Sequence, residues 1–159
     1  MGQGTTGEPR KYHQAAMFAV EIAGVEISWF ETCSEIGDES GVIEQREGGL
    51  QIPAEKQPGL ANWPNVTLGN GVTDNTEMYD WRRQVVAASG ETGEPDEEYK
   101  KNVAIVQKRR DGTELGRWNL FNAWPRMHKR GPWDAKAEEF TKEISELVIK
   151  RAEWVPKAA

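Results

Sequence analysis

A mainly β fold, a small barrel or sandwich with one flanking α-helix, is predicted by three features of the 159-residue sequence. Two stretches of alternating apolar residues are each broken by a pair that suits a tight turn, Ala23-Gly24 and Asp111-Gly112. A segment near Glu77 to Ala87 carries apolar residues at helical spacing. The composition joins few aliphatics to seven tryptophans and 16 glycines, a profile of short strands and turns around a thin core. So modest a core, with large amphipathic aromatics to spare, points toward assembly.

Residues 1–15 are Gly/Thr-rich with Pro9 and are expected to form a flexible arm, because they cannot bury enough apolar area to order themselves. The remaining residues, 16–159, fit one domain of ordinary size. Between Met17 and Cys33, Phe18, Val20 and Ile22 precede the turn, while Val25, Ile27 and Trp29 follow it, the pattern of a β-hairpin. Gly41 to Glu47 is a weaker strand holding Val42 and Ile43, ended by Gly48-Gly49. Gln51 to Pro64 carries Pro53, Pro58, Gly59 and Pro64 and reads as a long loop whose backbone does not join a central sheet.

Val66 to Asn70 is a short strand, and Thr73-Asp74-Asn75-Thr76 then offers capping oxygens ahead of the helix. Met78, Trp81 and Val85 make its buried stripe, and Glu77 and Asp80 precede Arg82 and Arg83 in the order that complements the helix dipole. Gly90 to Glu98 is an acidic surface loop. Val103 to Arg109 and Thr113 to Phe121 flank the second turn, although Val103, Ile105 and Gln107 alternate with Ala104, Val106 and Lys108 without a clean polar face. Over Glu138 to Val155, the residues Phe140, Ile144, Leu147, Val148 and Arg151 have helical spacing, yet Phe140, Ile144 and Val148 also share one strand face. Periodicity alone favours a helix there.

The formal charge of −6 supplies no global positive field for a nucleic-acid backbone. One cysteine and two histidines build neither a disulfide framework nor a closed zinc site. No apolar run approaches the roughly 20 residues of a spanning helix, and the N-terminus lacks a signal-peptide core, so a soluble cytoplasmic protein without a membrane anchor is expected. Nucleophile-elbow, zinc-protease, phosphate-loop and dinucleotide motifs are absent, and neither catalysis nor a cofactor is expected.

Three weaker constellations have ordinary explanations. Cys33 with His13 or His128 shows no spacing that suggests a nucleophile and base. The acidic residues Glu91, Glu94, Asp96, Glu97 and Glu98 lack the alternation of a calcium loop and read as solvated. Trp118, Trp124 and Trp133 with Arg117, Arg126, Lys129 and Arg130 imitate a nucleic-acid platform, but strand aromatics usually pack.

Several segments, taken in order, resemble the tail-tube protein family of contractile phages, which includes inner-tube proteins of phage-like extracellular contractile injection systems. They are Phe18-Ala-Val-Glu-Ile-Ala-Gly-Val-Glu-Ile, Glu44-Gln-Arg-Glu-Gly-Gly, Pro58-Gly-Leu, and Asn65-Val-Thr-Leu-Gly-Asn-Gly-Val-Thr-Asp ahead of the helix with Trp81. The most specific is Trp118-Asn-Leu-Phe-Asn-Ala-Trp-Pro. Together they span roughly residues 16–150. Gly69-Asn70 departs from the family, in which a basic pair is common.

The resemblance implies that Arg46, Glu47, Thr73, Asp74, Trp81, Trp118, Asn119, Asn122, Ala123, Trp124 and Pro125 are structural motif positions. It implies a strand over Glu138 to Ile149, against the helical periodicity. It also implies six copies closing into a ring, and rings stacking into a hollow tube that a contracting sheath drives through a target envelope with cargo in the lumen. The loop with Gly48, Gly49, Pro53, Pro58 and Gly59 is then expected to stack rings, and Glu91 to Glu98 to face the sheath. Partners expected on this reading are further copies, the sheath, baseplate or spike proteins and a tube terminator. The tube would be assembled in the cytoplasm and released as part of a particle. Two other readings are a monomeric β-barrel holding a small apolar ligand, and an enzyme using Cys33 with a lowered thiol pKa.

Overall fold

The computed structural model describes residues 17–27, 30–45, 48–49, 54–72, 74–90 and 97–157. Strands β1 (Phe18–Ile22) and β2 (Val25–Ile27) form the first hairpin, and Ala23 and Gly24 take φ of 52° and 82° at its tip. Two positive φ angles in succession match the twist of the flanking strands, which is why a glycine follows the alanine there. β3 (Thr32–Cys33), β4 (Glu39–Gln45), β5 (Glu55–Asn62) and β6 (Val66–Gly71) precede the helix α1 (Glu77–Gly90). After a single 3-10 turn at Glu97–Tyr99 come β7 (Lys101–Lys108), β8 (Glu114–Arg130), β9 (Lys142–Val148) and β10 (Arg151–Pro156).

All pairings are antiparallel, in the order β2-β1-β7-β8-β9-β6-β3, with β10 also on β8. Strand β8 is the spine. Its first half lies between β7 and β10, which both place a partner opposite Arg117, and its second half pairs with β9 from Trp124 to Arg130. The changeover falls at Asn122, whose φ of 52° bends the strand and whose N–H donates to Asn102 Oδ1 at 3.3 Å. One core fills the space beneath both halves: Val20, Ile22, Val103, Ile105 and Leu120 meet Val66, Leu68 and Leu147, and Met78, Trp81 and Val85 of α1 close it.

The helix stripe is as the spacing predicts, and Asn75 Oδ1 accepts the Glu77 N–H at 2.9 Å as its cap. Strand β7 lacks a polar face because it is a central strand. Val103 and Ile105 join the main core, while Ala104 and Val106 pack with Ala19 in a second cluster.

Three sequence expectations are corrected. The stretch read as a long loop contains β5, and Pro58 and Gly59 lie inside that strand. Among the described residues β5 pairs only with β4, so it stays out of the main sheet as expected. A two-stranded ribbon has only edges, and edges admit proline. Second, β8 does not end near Phe121 but continues to Arg130, with Pro125 fully buried within it.

Third, residues 142–148 and 151–156 are strands and not the helix that periodicity favours; of the strand that the resemblance implies over Glu138 to Ile149, Lys142 to Val148 is formed and Glu138 to Thr141 is not. Glu143, Ser145 and Leu147 of β9 point inward while Ile144 is exposed, so the apolar pattern does not mark the buried face. The helix itself runs three residues past Ala87, which shortens the acidic loop at its start.

Candidate assembly interface

The β4–β5 ribbon stands apart from the core. Each of its residues is exposed except the half-buried Gly59, and among them are Val42, Ile43 and Leu60, the last 92% exposed. A hairpin of two strands is marginal in water without a face to pack on. Its backbones approach closely at a register irregularity between Ser40 and Val42, where a side chain at Gly59 would meet the Gly41 carbonyl oxygen at 3.0 Å. Gly49 takes φ of 93° in the turn that leaves β4. An exposed apolar ribbon of this kind is a template for burial against another chain.

A second exposed apolar feature is the connection between β8 and β9. Its ends are tied by the Gly131 N–H to the Lys142 carbonyl at 3.0 Å, and its middle turns where Asp134 accepts from the backbone of Lys136 and Ala137. Trp133, 75% exposed, and Phe140, 92% exposed, rim a hollow of about 670 Å³ together with Ala137 and Ile144. Large aromatics left this open mark interaction surfaces more often than monomer packing.

Beneath the connection sits a buried polar cluster that fixes β8 on β9. Glu143, its side chain 4% exposed, accepts from Arg130 Nε at 2.6 Å and from Asn70 Nδ2 at 3.2 Å. His128 Nε2 lies 3.0 Å from the same carboxylate without hydrogen-bond alignment, and His128 Nδ1 is 2.9 Å from Ser145 Oγ. Burial, with Arg130 and Arg83 nearby, holds the His128 pKa below its ordinary value despite the attraction of Glu143. Arg126 and Asn65 clamp Glu146 on the outer face of β9, and the Arg126 bond holds that carboxyl below the usual range.

The residues singled out from sequence are placed as follows. Gly48 and Gly49 form a turn after β4, and Pro58 and Gly59 lie in β5; Arg46, Glu47 and Pro53 are outside the described residues. Asp74 is exposed just before α1, and Thr73 is outside the described residues. Trp81 is buried, and its indole N–H donates to the Tyr99 carbonyl at 2.6 Å. Trp118, Asn119, Asn122, Ala123, Trp124 and Pro125 all sit in β8 around its bend: Ala123 and Pro125 are buried, and Trp124 meets Tyr99 edge-on at 6.2 Å.

This motif is therefore a strand crossing between sheet halves. The imitation nucleic-acid platform dissolves, since Arg117 is committed to Glu114 and Glu21, and Trp118 stacks on Trp154. Of the acidic residues, Glu97 and Glu98 begin the 3-10 turn, while Glu91, Glu94 and Asp96 are outside the described residues.

The sequence reading named Trp133 in the basic aromatic constellation, Phe140 in the ambiguous helical or strand pattern and Leu60 in the Pro58-Gly-Leu motif, but read none of them as an exposed contact residue. Their signal was that each is a large apolar residue beside Gly, Pro or charged neighbours. Among the described residues no helix is long and apolar enough to cross a membrane, and no His, Cys, Asp and Glu group is arranged to hold a metal.

The family model of the T4-like virus tail tube protein gp19 matches residues 14–153. A search of curated protein sequences finds no match. Among solved structures, a chain of the anti-feeding prophage cap, the AFP tube terminating cap, superposes with a TM-score of 0.80 at 24% identity, covering 99% of this chain and 100% of that one. A chain of the sheath-tube complex of the PVC extracellular contractile injection system, in its extended state, gives 0.75 at 25% identity over 92% and 93%. A type six secretion system protein shares the fold more distantly, with 0.52 at 10% identity over 88% and 83%.

Proposed function

The chain belongs to the T4-like virus tail tube protein gp19 family and has a structural inner-tube role, and from that premise we propose that six copies close into a ring, with the β4–β5 ribbon joining ring to ring. The observation that carries the second part is the ribbon itself, a two-stranded sheet with no further strand beside it among the described residues and with Val42, Ile43 and Leu60 open to solvent. Ribbon and hollow are different surfaces. A contact between them is heterologous, so it propagates from copy to copy and builds an open filament. Interfaces of the obligate class exceed roughly 2,000 Å², enough to hold a tube under the load of sheath contraction.

On this reading a contracting sheath drives the tube through the target envelope, and the lumen carries cargo. Baseplate or spike proteins and a terminator bound the tube at its ends. The acidic stretch Glu91 to Glu98 meets the sheath through salt-sensitive contacts. Assembly takes place in the cytoplasm, before release. The stronger likeness to the sheath-tube chain than to the type six secretion protein favours an extracellular contractile particle. No catalytic role is proposed: burial pushes the Cys33 thiol up to about 11, the opposite of what a nucleophilic thiolate requires. The interior of the sandwich is filled by Leu68, Leu120, Leu147 and Val103, which disfavours a ligand-holding barrel.

The test is the double variant Ile43→Asp/Leu60→Asp, examined by size exclusion and negative-stain microscopy. Folded subunits or discrete rings without tubes are expected. Tubes of normal length would overturn the ribbon's role.

A further inference from the structure

The end of the β8–β9 ladder is held by polar contacts. Where Pro125 faces Leu147 the inward positions are apolar, but the next two inward steps toward the connection set His128 against Ser145 and Arg130 against Glu143. Asn70 of β6 flanks Glu143 on its other side. Beyond them, the bond from the Gly131 N–H to the Lys142 carbonyl closes the stem of the connection that carries Trp133 and Phe140. A strand end secured by polar contacts, with little apolar burial of its own, opens before the rest of a fold.

His128 stands where a further positive charge has no counter-charge to meet. Its side chain is 4% exposed, Nδ1 is 2.9 Å from Ser145 Oγ, and Nε2 lies 3.0 Å from Glu143 Oε1 but out of line for a hydrogen bond. That oxygen already takes Arg130 Nε at 2.6 Å, and the other carboxylate oxygen takes Asn70 Nδ2 at 3.2 Å. From α1, Tyr79 meets the imidazole edge-on at 6.3 Å, and Arg83 lies over the Tyr79 ring at 5.4 Å. The charged and titratable groups around His128 are thus one carboxylate, Glu143, two cations, Arg130 and Arg83, and the Tyr79 phenol, while β6 adds the neutral Asn70. A proton on the imidazole would leave a buried positive charge beside a carboxylate that Arg130 already neutralises. Opening the strand end gives that charge to water.

We propose that this end of β8 is an acid-operated latch: with His128 neutral it closes on β9, and with His128 protonated it parts from β9 between His128 and Gly131 while the rest of the fold stays shut. The connection then loses one side of its stem, and the hollow rimmed by Trp133 and Phe140 loses its shape. The latch belongs to the single subunit and operates whichever surfaces the copies use to pack. Its direction follows from linkage. The open end returns the imidazole to its ordinary pKa of 6.5, and burial holds the closed form lower, so acid favours opening. One pH unit below 6.5 the open population has risen toward a limit of about tenfold.

Hydrogen exchange on the purified subunit at pH 7.5 and 5.5, corrected for the intrinsic pH dependence of exchange, reads the latch directly. Protection of residues 127–131 and 142–146 is expected to fall by about fivefold in acid, while Val103 to Val106 of β7 keep theirs. His128→Asn should abolish the acid loss. Arg83→Gln removes an exposed cation from beside the imidazole, which eases protonation of the closed form and should cut the loss to about half. That second variant carries the test if His128→Asn does not fold. Unchanged protection in acid, an equal loss in β7, or a wild-type profile in either variant overturns the proposal.

Discussion

Trp154 lies directly opposite Trp118 across the β8–β10 pair, their rings 5.7 Å apart and inclined at 54°, and the indole of Trp154 occupies the space above Gly116. A Cβ at Gly116 would stand 2.6 and 2.8 Å from two ring carbons of that indole and 3.1 Å from the Val155 carbonyl oxygen. Neither is the free end of a flexible chain. Gly116→Ala is therefore expected to cost about 1–3 kcal/mol, the usual range for overpacking, and to alter the near-UV circular dichroism of the tryptophan pair. An unchanged melt and spectrum would show that Trp154 does not rest on β8.

The stability of the fold should depend on His128 in a defined pH window. Burial lowers its folded pKa below the ordinary 6.5, so as pH falls the unfolded chain takes up the proton first. The contribution is whole above 6.5 and is lost as pH falls through the folded value. Glu114 and Glu146 are shifted in the same direction, and their contribution too is lost as pH falls. Arg117 and Arg126 hold them below 4.5, so they weaken the fold only at still lower pH. Denaturant titrations between pH 8 and 5 should show a fall in stability that His128→Asn largely removes. Equal slopes for the two proteins would exclude His128 as the source.

What the sequence made legible divides along physical lines. The first hairpin, the α1 stripe of Met78, Trp81 and Val85 and the Asp111-Gly112 turn depend on local geometry and neighbouring residues, and they form as expected. Gly112 takes φ of 88°, and Asp111 accepts from Thr113 in the same turn. Strand β9 was illegible because its inward residues are polar: Glu143 and Ser145 find Arg130, His128 and Asn70, partners contributed by β8 and β6. No window of local sequence contains that cluster. Pro125 likewise reads as a strand breaker until the bend at Asn122 takes the backbone past it. The ribbon was hidden by Pro58, which a strand tolerates only where its edge faces no further strand.

Trp81 joins helix packing to a polar anchor. Its ring fills the core, and its N–H satisfies the Tyr99 carbonyl in the turn that delivers the chain to β7. Trp81→Phe keeps most of the volume and is expected to cost about 1 kcal/mol through the lost hydrogen bond. Trp81→Ala also opens a cavity, and about 3–5 kcal/mol is expected in urea unfolding. If the two variants were equally stable, the indole would contribute nothing through packing.

Trp133 and Phe140 should separate folding from assembly. Both are largely exposed, and neither belongs to a buried cluster, so removing them deprives the isolated subunit of little packing. Trp133→Ser/Phe140→Ser is therefore expected to change subunit stability by no more than about 0.5 kcal/mol, as surface substitutions do. The same change strips the apolar rim from the hollow between β8 and β9, and with it the burial available to a neighbouring copy. Tubes should be short or absent under the electron microscope while the melt of the subunit stays put. If the variant assembles like the wild type, the hollow is not a contact surface, and the ribbon must seat elsewhere on its neighbour. A loss of subunit stability comparable to a core deletion would instead show that the two aromatics pack within their own chain.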